Sequence, residues 1–512
     1  MTTTVSTANP RVSAGAQPKD HRWTILVVVS IAQLMVVLDA TVVNIALPSA
    51  QADLGFADGQ RQWIVTAYAL AFGSLLLLGG RVGDLFGRKR TFLAGLLFFA
   101  LASAVGGAAP NFGVLVASRV AQGIAGAMLA PAALSTLVTT FSNPRDRGRA
   151  FGVFGSVAVG GGAVGLILGG VLTQYLSWRW AMYVNVIFAA AAAVGALVYM
   201  THSRPTVRPR IDIAGTVLAS AGLFLLVFGF SHAETAGWLA VTTLASIALG
   251  VALLVAFVAV ERRVAYPLLP LRVVSDRTRA VAFAAVMTAG VAMFGVFLFL
   301  TYYLQTVKGF SPVMSGLAFL PMITCVMISS NTSNIVTLPR FGPRVVITVG
   351  MALGFLGMAY LSRVTVGSSY VTGVLPALIV MGFAMGMVMA PAMNTATAGV
   401  LPQDSGVAAA LVSTMQQVGG SIGTAVLSTL AASATSSYVT SHHLSGPNHL
   451  AATHGYSVVF TISSALFLLG AVSAAALFPS KAGLAAIRAA AAPTPTPERA
   501  GDELVPELVA AD

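Results

Sequence analysis

Long apolar runs alternate with short polar connections along the whole chain. Fourteen runs come near the ~20 residues a helix needs to cross a bilayer. They lie at about 23–47, 61–79, 91–109, 112–137, 149–172, 180–200, 212–231, 239–260, 280–304, 312–336, 344–362, 372–396, 405–432 and 457–479. The pattern predicts an all-α polytopic membrane protein. The first run is too long for a cleavable signal, whose apolar region is about 7–15 residues, and it contains Asp39.

Charge placement changes the picture from a helix count to an orientation. With the N-terminus inside, 23 of the 28 Lys and Arg fall in inside segments. Arg61, Arg179, Lys308 and Arg363 fall outside, and Arg119 lies within a run. Positive charge is retained on the cytoplasmic side, so both termini are expected in the cytoplasm and the protein in the cell (inner or plasma) membrane. Only 9% of residues are charged, against about 25% in soluble domains. The net charge of +12 sits in the connections, which reads as anchoring of helices rather than nucleic-acid binding. Cys325 is the single cysteine, so neither an internal disulfide nor a cysteine metal cluster is expected.

An internal repeat divides the chain. Gly126-Ala127-Met128-Leu129-Ala130-Pro131-Ala132 recurs as Gly386-Met387-Val388-Met389-Ala390-Pro391-Ala392. Asp146-Arg147-Gly148 recurs as Asp404-Ser405-Gly406, and Gly161-Gly162-Ala163-Val164-Gly165 as Gly419-Gly420-Ser421-Ile422-Gly423. The near-constant offset maps the fourth and fifth runs onto the twelfth and thirteenth. Two six-helix halves, 23–200 and 280–480, therefore flank an inserted pair of helices in 201–279, a plan that puts a binding site near the midplane between the halves. The polar ends, 1–22 and 481–512, read as disordered cytoplasmic tails.

Asp39 is the acidic residue in the middle of a span, in the run Leu38-Asp39-Ala40-Thr41-Val42-Val43-Asn44-Ile45-Ala46-Leu47-Pro48. Asp at the centre of a bilayer helix costs roughly 2.5–3.5 kcal/mol, so it is expected to face protein or water and to serve ion-coupled transport. The loop after the second run reads Gly80-Arg81-Val82-Gly83-Asp84-Leu85-Phe86-Gly87-Arg88-Lys89-Arg90. Its glycines permit a tight turn and close helix approach, and Asp84 can pair with an Arg or a helix N-terminus at the inner surface. The fifth run carries Gly161, Gly165 and Gly169, one face on which another helix can pack closely.

The loop motif resembles the signature of the major facilitator superfamily. The Asp39 run resembles a first-span motif of its 14-span drug:proton antiporter branch, and Arg119-Val120-Ala121-Gln122-Gly123 is similar to the family's proton-transfer motif. The resemblance covers roughly 20–480 and implies the major facilitator fold, with proton-driven export of small lipophilic or cationic compounds by alternating access. It implies roles for Asp39 and Arg119 in proton coupling or substrate binding, and for Gly80, Asp84, Gly87 and Arg88 in an inner-side gating loop. The family's antiporter motif has Pro where this chain has Leu166, and relatives often have Pro where it has Ile187.

Helix rise links two of these residues. Asp39 and Arg119 both fall roughly 5–9 Å outward of the midplane at ~1.5 Å per residue. They are expected to interact, Asp39 alternating between Arg119 and a proton or cationic substrate; a static ion pair between the two spans is the plainer alternative. With one such carboxylate, proton and organic cation would compete for it, which favours neutral or singly charged substrates.

Gln33, Asn44, Gln122, Tyr302, Gln305, Asn394 and Gln416 are candidate cavity-lining residues, or interhelical hydrogen-bonding groups. Met381, Met385, Met387, Met389 and Met393 suit either an adaptable binding surface or a core. His442, His443, His449 and His454 share one loop region without a carboxylate, in a spacing that matches no metal site. No phosphate-binding loop, nucleophile elbow or His-Glu-x-x-His sequence occurs, so no enzyme, no metal and no cofactor are expected, with the proton gradient as energy source. The expected partners are a small-molecule substrate, protons and lipid, with the protein acting as a monomer. Uptake or uniport of a metabolite on the same fold is the first alternative, a non-transporting sensor or enzyme the second.

Overall fold

The structure is a computed structural model that describes residues 21–57, 60–141, 143–200, 212–265, 267–400, 404–444 and 448–479. The tails and the 201–211 connection lie outside these residues. The helices are α1 (Arg22–Leu54), α2 (Gln62–Phe86), α3 (Arg88–Gly107), α4 (Phe112–Thr140), α5 (Pro144–Tyr175) and α6 (Trp180–Tyr199). Next come α7 (Ile213–Ala236), α8 (Val241–Glu261) and the short α9 (Leu271–Ser275). The last group is α10 (Arg277–Tyr302), α11 (Pro312–Ala318), α12 (Leu320–Thr332), α13 (Leu338–Leu361), α14 (Leu375–Thr397), α15 (Ser405–Ser441) and α16 (His449–Leu477).

Among the described residues, 12 helical stretches are long and apolar enough to cross a membrane. One of them, Pro312–Leu361, is 50 residues long. It includes a wide π-helical turn at Ser333–Thr337 and a break at Gly342, whose φ of +80° a side chain would strain. In α2 a shorter apolar segment, Gln62–Leu76, is found instead.

Side-chain bonds show which helix ends lie together. Arg22 at the start of α1 pairs with Asp146 at the start of α5, at 2.9 Å. Lys89 at the start of α3 donates to the Leu197 carbonyl near the end of α6, at 2.9 Å. At the other end Arg179, before α6, bonds the Gly107 and Ala109 carbonyls after α3 and pairs with Asp53 of α1 at 3.1 Å. Successive helices of α1–α6 thus run antiparallel, between a basic end (Arg22, Arg88, Lys89, Arg90) and a sparsely charged end.

The repeat is visible in the packing. Gly161, Gly165 and Gly169 of α5 lie against α1, and Gly419, Gly420 and Gly423 of α15 lie against α10. A Cβ at Gly169 would come 2.9 Å from Val42 Cα, and at Gly165 it would collide with Thr41 Oγ1. Gly126 packs on α2, and its match Gly386 packs on α12. The repeated acids also match. Asp404 at the head of α15 takes two bonds from Arg272, at 2.7 and 3.1 Å, as Asp146 takes one from Arg22. That bond holds the Arg272 guanidinium's pKa above its ordinary value. Helices α7 and α8 pack on each other, and α7 also lies on α2 and α15.

Candidate functional site

Helix α1 presents two stripes. Leu34, Val37, Leu38, Thr41 and Val42 face the glycines of α5. Met35, Asp39, Val43, Ala46 and Ala50, at near-helical spacing, are all buried. Asp39 therefore points into the N-terminal bundle, and it is 0% exposed.

Its carboxylate is fully engaged there. Arg119 Nη1 donates to Oδ2 at 2.6 Å. Gln122 Nε2 and Asn185 Nδ2 donate to Oδ1 at 2.9 and 2.8 Å. Arg119 is 1% exposed and spends its other groups inside the same cluster. Its Nε donates to the Ile64 carbonyl at 3.0 Å, Nη1 also donates to Gln122 Oε1 at 2.8 Å, and the guanidinium lies 4.4 Å from the Tyr68 ring centroid. Gln122 donates further to Ser103 Oγ at 2.7 Å. Residues of α1, α2, α3, α4 and α6 thus converge on one carboxylate, and every partner belongs to the N-terminal bundle.

A buried ion pair needs extra hydrogen bonds to offset the loss of hydration, and both members of this one have them. Beyond Asp39, Arg119 has the Ile64 carbonyl, the Gln122 oxygen and the Tyr68 face, all of them neutral, so Asp39 is the counter-charge in its cluster.

The other sequence candidates are dispersed. Tyr302 and Gln305 lie where the bundles meet at the sparsely charged end. Tyr302 donates its hydroxyl to Gln51 Oε1 at 2.6 Å, and Gln305 Nε2 donates to the Ile45 carbonyl at 3.0 Å. Arg61 places its guanidinium 4.1 Å from the Tyr302 ring centroid. Beside them Gly170 abuts Val313 of α11, and Gly316 abuts the Leu166 carbonyl. Toward the basic end α5 is open: a Cβ at Gly152, Gly155 or Gly160 would meet nothing within 4 Å. Asn44 bonds the Ala40 carbonyl of its own helix at 2.8 Å. Gln33 and Gln416 are half-buried, and Asn394 is exposed near the basic end of α14.

In the loop after α2, Gly87 has φ +89° and separates α2 from α3. Arg88 is half-buried, and the Asp84 side chain lies outside the described ones. Gly80 has only an ordinary contact with Pro131, whereas the neighbouring Gly79 meets the Ala127 backbone of α4 and sets that close approach. Met381 and Met385 are core residues, while Met393 is exposed. The Tyr438 ring stacks on His442 at 4.0 Å and lies tilted against His454 at 4.7 Å.

Sequence reasoning missed Asn185, Tyr68 and Ser103 as partners. An Asn within an apolar span was the available signal for Asn185; a Ser in a helix gives none.

The family model described as Major Facilitator Superfamily matches residues 29–424. The puromycin resistance protein pur8 of Streptomyces alboniger is 47% identical over 496 residues, which cover 96% of this chain and 98% of that protein. The cephamycin export protein CmcT of Amycolatopsis lactamdurans is 40% identical over 420 residues, 81% of this chain and 86% of that one. Among solved structures the POT family transporter PepTSo has a TM-score of 0.66 at 16% identity, covering 89% of this chain and 99% of that chain. Apolar helices, a repeated bundle and a match across most of the length agree: this multi-pass membrane transport protein belongs to the major facilitator superfamily.

Proposed function

We propose that the protein exports small lipophilic or cationic antibiotics across the cell membrane by proton-coupled alternating access. The observation that carries this reading is the Asp39–Arg119 pair, buried at 2.6 Å within apolar helices. An intramembrane ionisable residue marks a coupling or substrate path, and this one is paired with a second buried charge, so any change in its own charge would unbalance the pair. The names of the relatives, puromycin resistance and cephamycin export, support export of antibiotics.

The fold supports a 14-crossing arrangement. The 50-residue stretch Pro312–Leu361 is about 75 Å of helix at 1.5 Å per residue, enough for two crossings divided near Gly342. Helix α2, at 25 residues, supplies another. The basic end is the cytoplasmic face, with both termini inside. Closure at Gln51–Tyr302 and Ile45–Gln305, with α5 open toward the basic end, corresponds to an inward-facing state. The halves 23–200 and 280–480 rock about the midplane, and the loop of Gly80, Asp84, Gly87 and Arg88 closes the inner side. The inserted helices (201–279) ride on α2 and α15. Export needs one copy of the chain and no cofactor.

The test is transport by purified protein in liposomes under an imposed pH gradient, with puromycin and a panel of cationic dyes and antibiotics. The reading expects movement of drug against the proton flow, lost in Asp39→Asn. Drug moving with the protons, or equally well without a gradient, would replace it with uptake or uniport.

A further inference from the structure

Directly outward of the Asp39 cluster lies a cavity lined wholly by apolar side chains, among them Val43, Ala46, Leu115, Trp178, Ala181 and Met182. Each end of it is defined by residues already described. At the inner end, Val43 is one helical turn beyond Asp39 and Leu115 one turn before Arg119. Met182 is three residues before Asn185, and the lining residue Ile64 gives its carbonyl to Arg119 Nε at 3.0 Å. At the outer end, Trp178 donates Nε1 to Asp53 Oδ2 at 2.9 Å. The Asp53 side chain is 50% exposed at the sparsely charged face and pairs with Arg179. A second observation points the same way. Asn185 Oδ1 is buried and has no hydrogen-bond partner, although its amide nitrogen is bonded to Asp39. It is an open acceptor that one arriving water would satisfy.

We propose that this cavity is the proton's entry from the outer face to Asp39, separate from the passage the drug takes between the bundles. The inference rests on the proton-coupled reading above. The void has room for about one water molecule, and apolar voids of this kind stay dry. A dry apolar constriction blocks conduction and opens by wetting. In the state described here the route is shut. When α1, α2, α4 and α6 loosen around it and the cavity wets, protons pass from the Asp53 face along water to the Asn185 oxygen. There a hydronium gives its proton to the Asp39 carboxylate and becomes water; no other bond changes. Drug and proton then need not touch the same atoms. Their competition is conformational, through the Asp39–Arg119 pair.

Ala181 tests this from both directions, because it lines the cavity from α6, which packs on α1, α3 and α5. Proteoliposomes carrying the wild type, Ala181→Val, Ala181→Ser and Asp39→Asn are loaded with a pH-sensitive dye. Three rates are read: pH-driven puromycin export, puromycin–puromycin exchange at equal pH, and drug-free proton flux. Filling the void with Ala181→Val is expected to slow pH-driven export about tenfold or more while exchange stays within about twofold, and Ala181→Ser, which favours wetting, to raise drug-free proton flux severalfold. That extra flux disappears when Asp39→Asn is added. Wild-type export by Ala181→Val, or a Ser variant with no added flux, overturns the route. If Ala181→Val does not fold, the Ser flux and its dependence on Asp39 decide. Failure of the underlying reading looks different: wild type and Asp39→Asn would then export alike with and without a gradient.

Discussion

Replacing Arg119 by Leu removes one member of a fully buried ion pair. Asp39, at 0% exposure, would keep two neutral amide donors, Gln122 and Asn185, and lose its only charged one. Breaking a buried pair in this way costs about 3–5 kcal/mol, mostly from the charge left uncompensated. The value should fall near the lower limit, because the two amides remain at 2.9 and 2.8 Å. Thermal unfolding of the detergent-solubilised protein should then shift down by roughly 3 °C, because an unfolding entropy of about 2.1 cal/mol/K per residue gives about 1 °C per kcal/mol at this chain length. The control is the double variant Asp39→Asn/Arg119→Leu. With the stranded charge gone, it should regain about 2 kcal/mol relative to Arg119→Leu alone. If Arg119→Leu unfolds at the wild-type temperature, or the two substitutions simply add, the pair does not carry the energy assigned to it.

Gly165→Ala should lower folded yield, because its Cβ collides with Thr41 Oγ1, and Thr41→Ala should restore it; Gly169→Ala should resist such rescue, because it meets the Val42 backbone at 2.9 Å. Size-exclusion of the fluorescently tagged variants reads both. Arg61→Ala removes a desolvated cation–π contact with Tyr302 of about 1–2 kcal/mol that joins the bundles at the sparsely charged end. Spin-label distances between the C-terminal ends of α1 and α10 should show a larger open population, about tenfold for ~1.4 kcal/mol; an unchanged distribution would mean that Arg61 does not hold the bundles together there. Asp404→Ala removes a doubly bonded pair whose Arg272 side chain is 58% exposed and whose Asp404 side chain is 7% exposed, so the loss should be about 1–2 kcal/mol, between an exposed pair and a buried charged hydrogen bond. A measured Tm drop of many degrees would contradict that.

Much of the scaffold is legible in the sequence because each span is a local property. Apolar runs, caps such as Asn111 before α4, and the cost of Asp39 in hydrocarbon all depend on neighbours in the chain. Helix rise alone put Asp39 and Arg119 at one depth, and the glycine spacing of α5 announced a close neighbour. What the sequence lacks is azimuth between helices. Nothing local says that Asn185 and Tyr68 turn toward Asp39 while Asn44, five residues on, bonds its own helix. Tyr302 and Gln305 read equally as cavity-lining groups or interhelical hydrogen-bonding groups, and only the fold shows that their partners, Gln51 and the Ile45 carbonyl, lie across the contact between bundles. The competition expected of a lone carboxylate assumed that drug reaches it; in the fold its partners all come from one bundle.

Infrared difference spectroscopy on the reconstituted protein addresses the protonation of Asp39 most directly. Lowering the outside pH should bring up the C=O stretch of a protonated carboxyl group in the wild type. The band should weaken when transported drug is added and be absent from Asp39→Asn. A wild-type spectrum with no such band at any pH where export runs, or a band that persists in Asp39→Asn, would mean that Asp39 is a fixed structural ion and not the group that carries the proton.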